Sequence, residues 1–255
     1  MEKATVIGIG GAMVVIVTAN ILEGGSPSSL ILLPPMLLVF GATLLVSFAG
    51  GTVADAKCSM IGARRAFTTN VPPAGDVVPT VVGLADKARR EGLLALEDAT
   101  RDIDDKFLVK GVTLAIDGTD PDEVRDILEG EVDAKRRTDK MSAKFFADAG
   151  GYAPTIGIIG TVMSLVHVLE NLADPESLGH SIAGAFLATL WGVMTANVMW
   201  LPIAAKIKRI SELEIARMEV IIEGVAAIQA GSNPRVVEHK LVALLPAGQQ
   251  RPEAA

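Results

Sequence analysis

The chain has 255 residues, half of them hydrophobic, a mean hydropathy of +0.42 and a net charge of −7. Soluble domains of this size are rarely so apolar, and the negative balance argues against a nucleic-acid partner. One cysteine, Cys58, excludes an internal disulfide and argues against a cysteine-based metal site.

The charge is segregated along the chain. No Lys or Arg occurs from Ala4 to Gly51 or from Gly151 to Ala205. A helix needs about 20 apolar residues to cross a bilayer. Four stretches meet that length: 4–22, 30–50, 151–169 and 181–205. The first could be read as a signal peptide, but its apolar run is long for one, Glu2 stands beside Lys3, and a second span follows closely. Orientation follows the basic residues. Residues 51–148 carry fifteen Lys and Arg and the tail after Ala205 carries seven, while the short loops 23–29 and 170–180 carry none. The middle segment and both termini are therefore expected in the cytoplasm.

Within the middle segment, Val71–Gly75 reads as a loop. A helical pattern starts at Pro79 and runs through Val82, Ala85 and Ala88, with a break at Gly92 before Leu93 and Leu96. Asp117–Asp120 reads as a turn. A helix then starts at Asp120-Pro121-Asp122-Glu123, with an Asp cap, Pro at the first position and acids in the first turn. It is expected to run through Lys135-Arg136-Arg137 and Met141 into the third span. The fourth span should continue past Lys206 as an amphipathic helix with Ile207, Ile210, Leu213, Ala216 and Val220 on one side. A short helix starts at Pro234, and disorder is expected from Pro246.

The expected fold is an all-α membrane protein with four transmembrane helices, spans three and four extending into a helical cytoplasmic domain. Its segments are 1–50 (first two spans and a short outer loop), 51–148 (cytoplasmic helical domain), 149–205 (last two spans and a second outer loop) and 206–255 (cytoplasmic helix and disordered tail). No phosphate-binding loop and no nucleophile elbow occur, and His167, His180 and His239 are scattered, so neither an enzyme nor a metal or cofactor site is read. The spans hold no Asp, Glu, Lys or Arg in their apolar cores. Ion carriers usually need an ionisable group in the membrane, so any ion path here requires a partner's carboxylate. The last two spans do carry polar and helix-bending residues: Pro154 and Thr161 in the third, Thr189 and Pro202 in the fourth. Each Thr hydroxyl both donates and accepts hydrogen bonds, and each Pro frees a carbonyl.

Pro-Thr-Ile-Gly-Ile-Ile-Gly-Thr in span three, Ala-Thr-Leu-Trp-Gly in span four and Arg89-Arg90-Glu91-Gly92-Leu93-Leu94-Ala95-Leu96-Glu97 in the loop resemble the MotA/PomA family of flagellar stator subunits. ExbB and TolQ are more distant relatives, usually with three spans. The resemblance implies a homo-oligomeric ring in the bacterial plasma membrane around a dimer of a MotB-like, peptidoglycan-anchored subunit that supplies an essential Asp. Ion flow would turn the ring and drive the rotor protein FliG. Position by position, it implies that Thr189 faces the partner Asp and that Thr161 lines the ion pathway. Pro154 and Pro202 are the conformational prolines, and Arg89 and Glu97 meet FliG with Arg90 and Asp98 beside them. Sodium-type members carry a second Thr before the Thr189 position, where this chain has Ala188, so H+ is favoured over Na+. The alternative is an ExbB/TolQ-like proton-channel energiser of an envelope transport system; a membrane scaffold without ion flow is a third reading.

Overall fold

A computed structural model describes residues 3–170 and 175–246, and among these the chain is helical with no strand. The expected second outer loop lies partly outside the described residues, and the expected disordered tail lies almost wholly outside them. The chain forms two compact units, one from residues up to 70 together with 138–208, the other from 71–137 together with residues from 209 onward.

In the first unit, α1 (Lys3–Leu22) opens the fold. At 1.5 Å per residue it is about 30 Å long, the thickness of a hydrocarbon core. Its apolar side chains, among them Ile7, Val14, Val15 and Leu22, are largely exposed, as a lipid-facing or partner-facing helix requires. The second apolar helix, α2 (Leu33–Ala49), is shorter than expected. Pro34 and Pro35 cannot donate to a preceding turn, so they fit only the first turn of a helix. The residues from Pro27 to Leu30 form a separate 3₁₀ turn. A π-helical turn, Leu37–Ala42, lies inside α2.

α3 (Val53–Thr68) follows at once. It begins with a reciprocal cap: Thr52 N–H donates to Asp55 Oδ2 at 2.9 Å, and Asp55 N–H to Thr52 Oγ1 at 3.2 Å. The Thr52 backbone bond also holds the Asp55 carboxyl below its usual range. Three further helices contribute here. α7 (Pro121–Glu170) is one helix of 50 residues, as the sequence led us to expect. α8 (Pro175–Thr195) passes through a π turn, Ala196–Trp200, into α9 (Leu201–Gln229). The core of this unit is made mostly of small residues, including Ala66, Ala143, Ala149, Ala153, Ala196 and Ala204, around Phe146 and Trp200. Such residues let membrane helices approach closely. The Phe146 and Trp200 rings stack at 6.3 Å.

The second unit is built on the remaining parts of α7 and α9, with α4 (Val78–Glu91), α5 (Leu96–Thr100), α6 (Lys106–Ile116) and α10 (Pro234–Ala243). Its core is larger and branched-aliphatic: Val81, Leu96, Leu108, Val112, Leu128, Ile221, Val225, Ile228 and Leu241 are buried. Asp105 caps α6 through the N–H groups of Phe107 and Leu108, both at 3.1 Å. The same carboxylate accepts from Arg217 Nε at 2.9 Å. Asn233 caps α10. Both caps use a short polar side chain to accept from amides that the helix leaves unpaired.

Candidate functional site

Among the described residues, three helices are long and apolar enough to cross a membrane: Ala4–Leu22 and stretches within Pro121–Glu170 and Leu178–Gln229. α2 has the composition but a shorter length. The last two of the long helices meet at glycines. A Cβ added to Gly157 would stand 2.7 Å from Ala188 O, and one added to Gly192 only 2.6 Å from Ala153 O. The two backbones therefore touch without a side chain between them. One turn beyond Gly157, Thr161 Oγ1 lies 2.5 Å from Thr189 Oγ1, 2.8 Å from Ala185 O and 3.1 Å from Gly157 O. Carbonyls only accept, so the single Thr161 proton goes to a carbonyl. Thr189 must then donate to Thr161. Its own lone pairs are left to accept from a protonated group or to ligate a cation.

Pro154 sits inside α7 and gives Gly150 O no partner four residues on. Gly150 in turn packs on Leu201: a Cβ there would stand 2.5 Å from Leu201 Cδ2. Leu201 precedes Pro202, which follows the π turn in the second residue of α9. In the second unit, Gly92, at φ +86°, ends α4, a conformation that a side chain would strain. A 3₁₀ turn, Leu93–Ala95, then leads into α5. Arg89, Arg90, Glu97 and Asp98 on either side are all exposed.

The family model described as the MotA/TolQ/ExbB proton channel family matches residues 99–220. The motility protein A of Bacillus subtilis (strain 168) is 38% identical over 97% of this chain and 92% of its own length. The chain belongs to the motility protein A family of flagellar stator subunits. A solved structure of the flagellar MotAB stator complex from Bacillus subtilis superposes with a TM-score of 0.90 at 37% identity, covering 97% of each chain. A structure of C. jejuni MotAB gives 0.93 at 28% identity and covers both chains completely. As a stator subunit the chain is a membrane protein, and its relatives are channel and motor proteins rather than enzymes.

Of the residues singled out from the sequence of this stator subunit, Thr161 and Thr189 are in direct contact. Pro154 and Pro202 are joined through the Gly150–Leu201 contact. The four charged residues of the loop segment divide. Arg90 pairs with Asp86 at 2.9 Å and Asp98 with Arg101 at 3.4 Å. Arg89 and Glu97 form no ion pair among the described residues.

Two features of the stator subunit had escaped the sequence reading. Arg65 Nη1 on α3 donates to Asp139 Oδ1 on α7 at 2.9 Å, with the Asp139 side chain only 6% exposed. Trp191 Nε1 donates to Leu30 O at 2.7 Å, and its ring lies 5.7 Å from Phe40, fixing α8 against the 3₁₀ turn before α2 and the π turn within it. The first pair is 74 residues apart in sequence, and each member alone looks like an ordinary surface charge. A Trp in the membrane needs a partner for its N–H, which signals a bond but not its acceptor.

Proposed function

We propose that this stator subunit is the ring-forming half of an ion-driven motor in the bacterial plasma membrane. In this reading α2, with the residues leading into it, completes a set of four spans. Residues 1–50 and 149–205 form the membrane part, and 51–148 and 206–255 face the cytoplasm with both termini. Several copies surround a dimer of a MotB-like subunit; the likeness to chains of the B. subtilis and C. jejuni MotAB complexes supports a partner of that kind.

The observation that carries the mechanism is the Thr161–Thr189 hydroxyl pair beside a carboxylate-free helix crossing. A partner Asp reaching Thr189 would meet a hydroxyl whose proton is already committed to Thr161. Thr189 can then accept a hydrogen bond from the protonated acid but offers no donor to the carboxylate. Such an environment favours the neutral acid, so each loss of a proton to the cytoplasm raises the cost of the carboxylate's position. Movement of the ring relieves it, coupling charge state to arrangement. The membrane potential supplies about 2.3 kcal/mol per charge per 100 mV. Protons fit better than Na+, because Ala188 leaves fewer oxygens for a dehydrated cation. No bound cofactor is required. Arg89 and Glu97, with Arg90 and Asp98, are read as the charges that meet FliG. Full-length likeness to motility protein A favours this reading over an ExbB/TolQ-like energiser.

Complementation of a strain lacking the chain tests the proposal. The wild-type chain, expressed with its one-span partner, should restore swimming. Arg89→Glu with Glu97→Lys should reach the membrane at wild-type levels and leave cells non-motile. Normal motility in that double variant would remove the rotor-facing assignment.

A further inference from the structure

Leu93 and Leu94 are adjacent, yet the turn that carries them sends the two side chains opposite ways. In a 3₁₀ turn residues three apart lie on one side. Leu93 therefore shares a side with Leu96: the first packs against the core of its unit and the second is fully buried. Leu94 points away and is 76% exposed, more than any other large apolar side chain described in that unit. Single exposed leucines are ordinary on protein surfaces. This one stands between Arg89 and Glu97, an exposed cation and an exposed anion that find no ion-pair partner among the described residues. An exposed apolar side chain flanked in sequence by unpaired charges offers a partner both a surface to desolvate and charges to match.

We propose that Leu94 is the apolar anchor of the rotor contact. The surface it fits is a protein face with an apolar hollow, an acidic side chain placed for Arg89 and a basic one placed for Glu97. This inference rests on the rotor-facing reading of those two charges and adds to it the desolvated centre. Exposed ion pairs alone contribute little and mainly steer encounter. A burying leucine supplies what holds the faces together. Gly92 gives the turn its shape: the positive φ swings the chain so that Leu93 enters the core and Leu94 is presented outward.

The experiment places a photocrosslinking amino acid at position 94, at position 89 and, as a control, at Val236, which is 60% exposed on the same unit. Crosslinking is carried out in motile cells with the full stator complex, and adducts are identified by mass spectrometry. Adducts with the rotor protein from 94 and 89, and none from 236, are expected. A rotor adduct from 89 without one from 94 overturns the anchor and leaves the rotor-facing reading standing. No rotor adduct from either position removes that reading and the anchor with it. An adduct from 94 with a second copy of this chain makes Leu94 a subunit contact and overturns the proposal. In parallel, Leu94→Ala should lower stator occupancy at the motor about tenfold at equal membrane level. Leu94→Met should keep it, and full occupancy in the Ala variant would also overturn the anchor.

Discussion

At the residue scale, Glu223 shows how the second unit is tied together. It accepts from Lys240 Nζ at 2.6 Å and from Arg125 Nη2 at 2.7 Å, so one carboxylate links α7, α9 and α10. The Lys240 hydrogen bond, with Arg125, holds its carboxyl below the usual glutamate range against the opposing effect of burial. The same Glu223 bond raises Arg125 above its ordinary value. A folded value below the unfolded one means that the contribution is complete at neutral pH and is lost as pH falls through the folded value. Both cations remain substantially in water, so the cluster is worth about 1 kcal/mol. Glu223→Gln is therefore expected to lower the melting temperature of the purified protein slightly at neutral pH. The gap to wild type should close at a pH below the ordinary glutamate range; a constant gap would mean the loss is one of packing. Thr161 and Thr189 were legible at this scale because hydroxyls stand out in charge-free spans. Arg65 and Asp139 were not, because nothing local separates a buried ion pair from two solvated charges.

At the scale of elements, the decisive feature is the crossing of α7 and α8. A methyl group at Gly192 would meet a backbone carbonyl, which cannot swing aside as a flexible side chain can. Gly192→Ala is expected to cost about 1–3 kcal/mol by overpacking. Gly179→Ala, on the same helix with nothing within 4 Å, should be neutral. Thermal unfolding of the two variants in detergent separates the cases; equal stability would mean that the helices move apart freely. The continuation of the last two apolar stretches into α7 and α9 was readable from unbroken helical periodicity. Two other helices, α3 and α6, were not singled out, although Thr52 and Asp105 are capping residues at their starts. α3 mixes Lys57, Arg64 and Arg65 with small residues and so lacks a strong apolar face. The start of α2 was placed too early, because hydropathy counts Leu30 to Leu32 as apolar and takes no account of Pro34 and Pro35.

For the molecule as a whole, function depends on separating two chemistries along one chain. Basic residues are confined to segments read as cytoplasmic, and the apolar cores of the spans hold no Asp, Glu, Lys or Arg. The fold and the family were legible because that separation is written in composition and short motifs; that residues 51–70 and 138–148 pack in the first unit was not, since it depends on long-range packing. The proposed proton path rests on Ala188, which offers no hydroxyl beside Thr189. Motor torque measured at fixed pH is expected to persist when sodium is replaced by potassium, and a collapse of torque would assign the path to Na+. The backbone contact at Gly157 and Gly192 also bears on how such a motor could transmit force. Side chains between helices act as a compliant layer that absorbs small displacements by changing rotamer. Here that layer is missing at one point, so α7 and α8 form a stiff joint there: a push delivered to one helix is handed to the other undiminished.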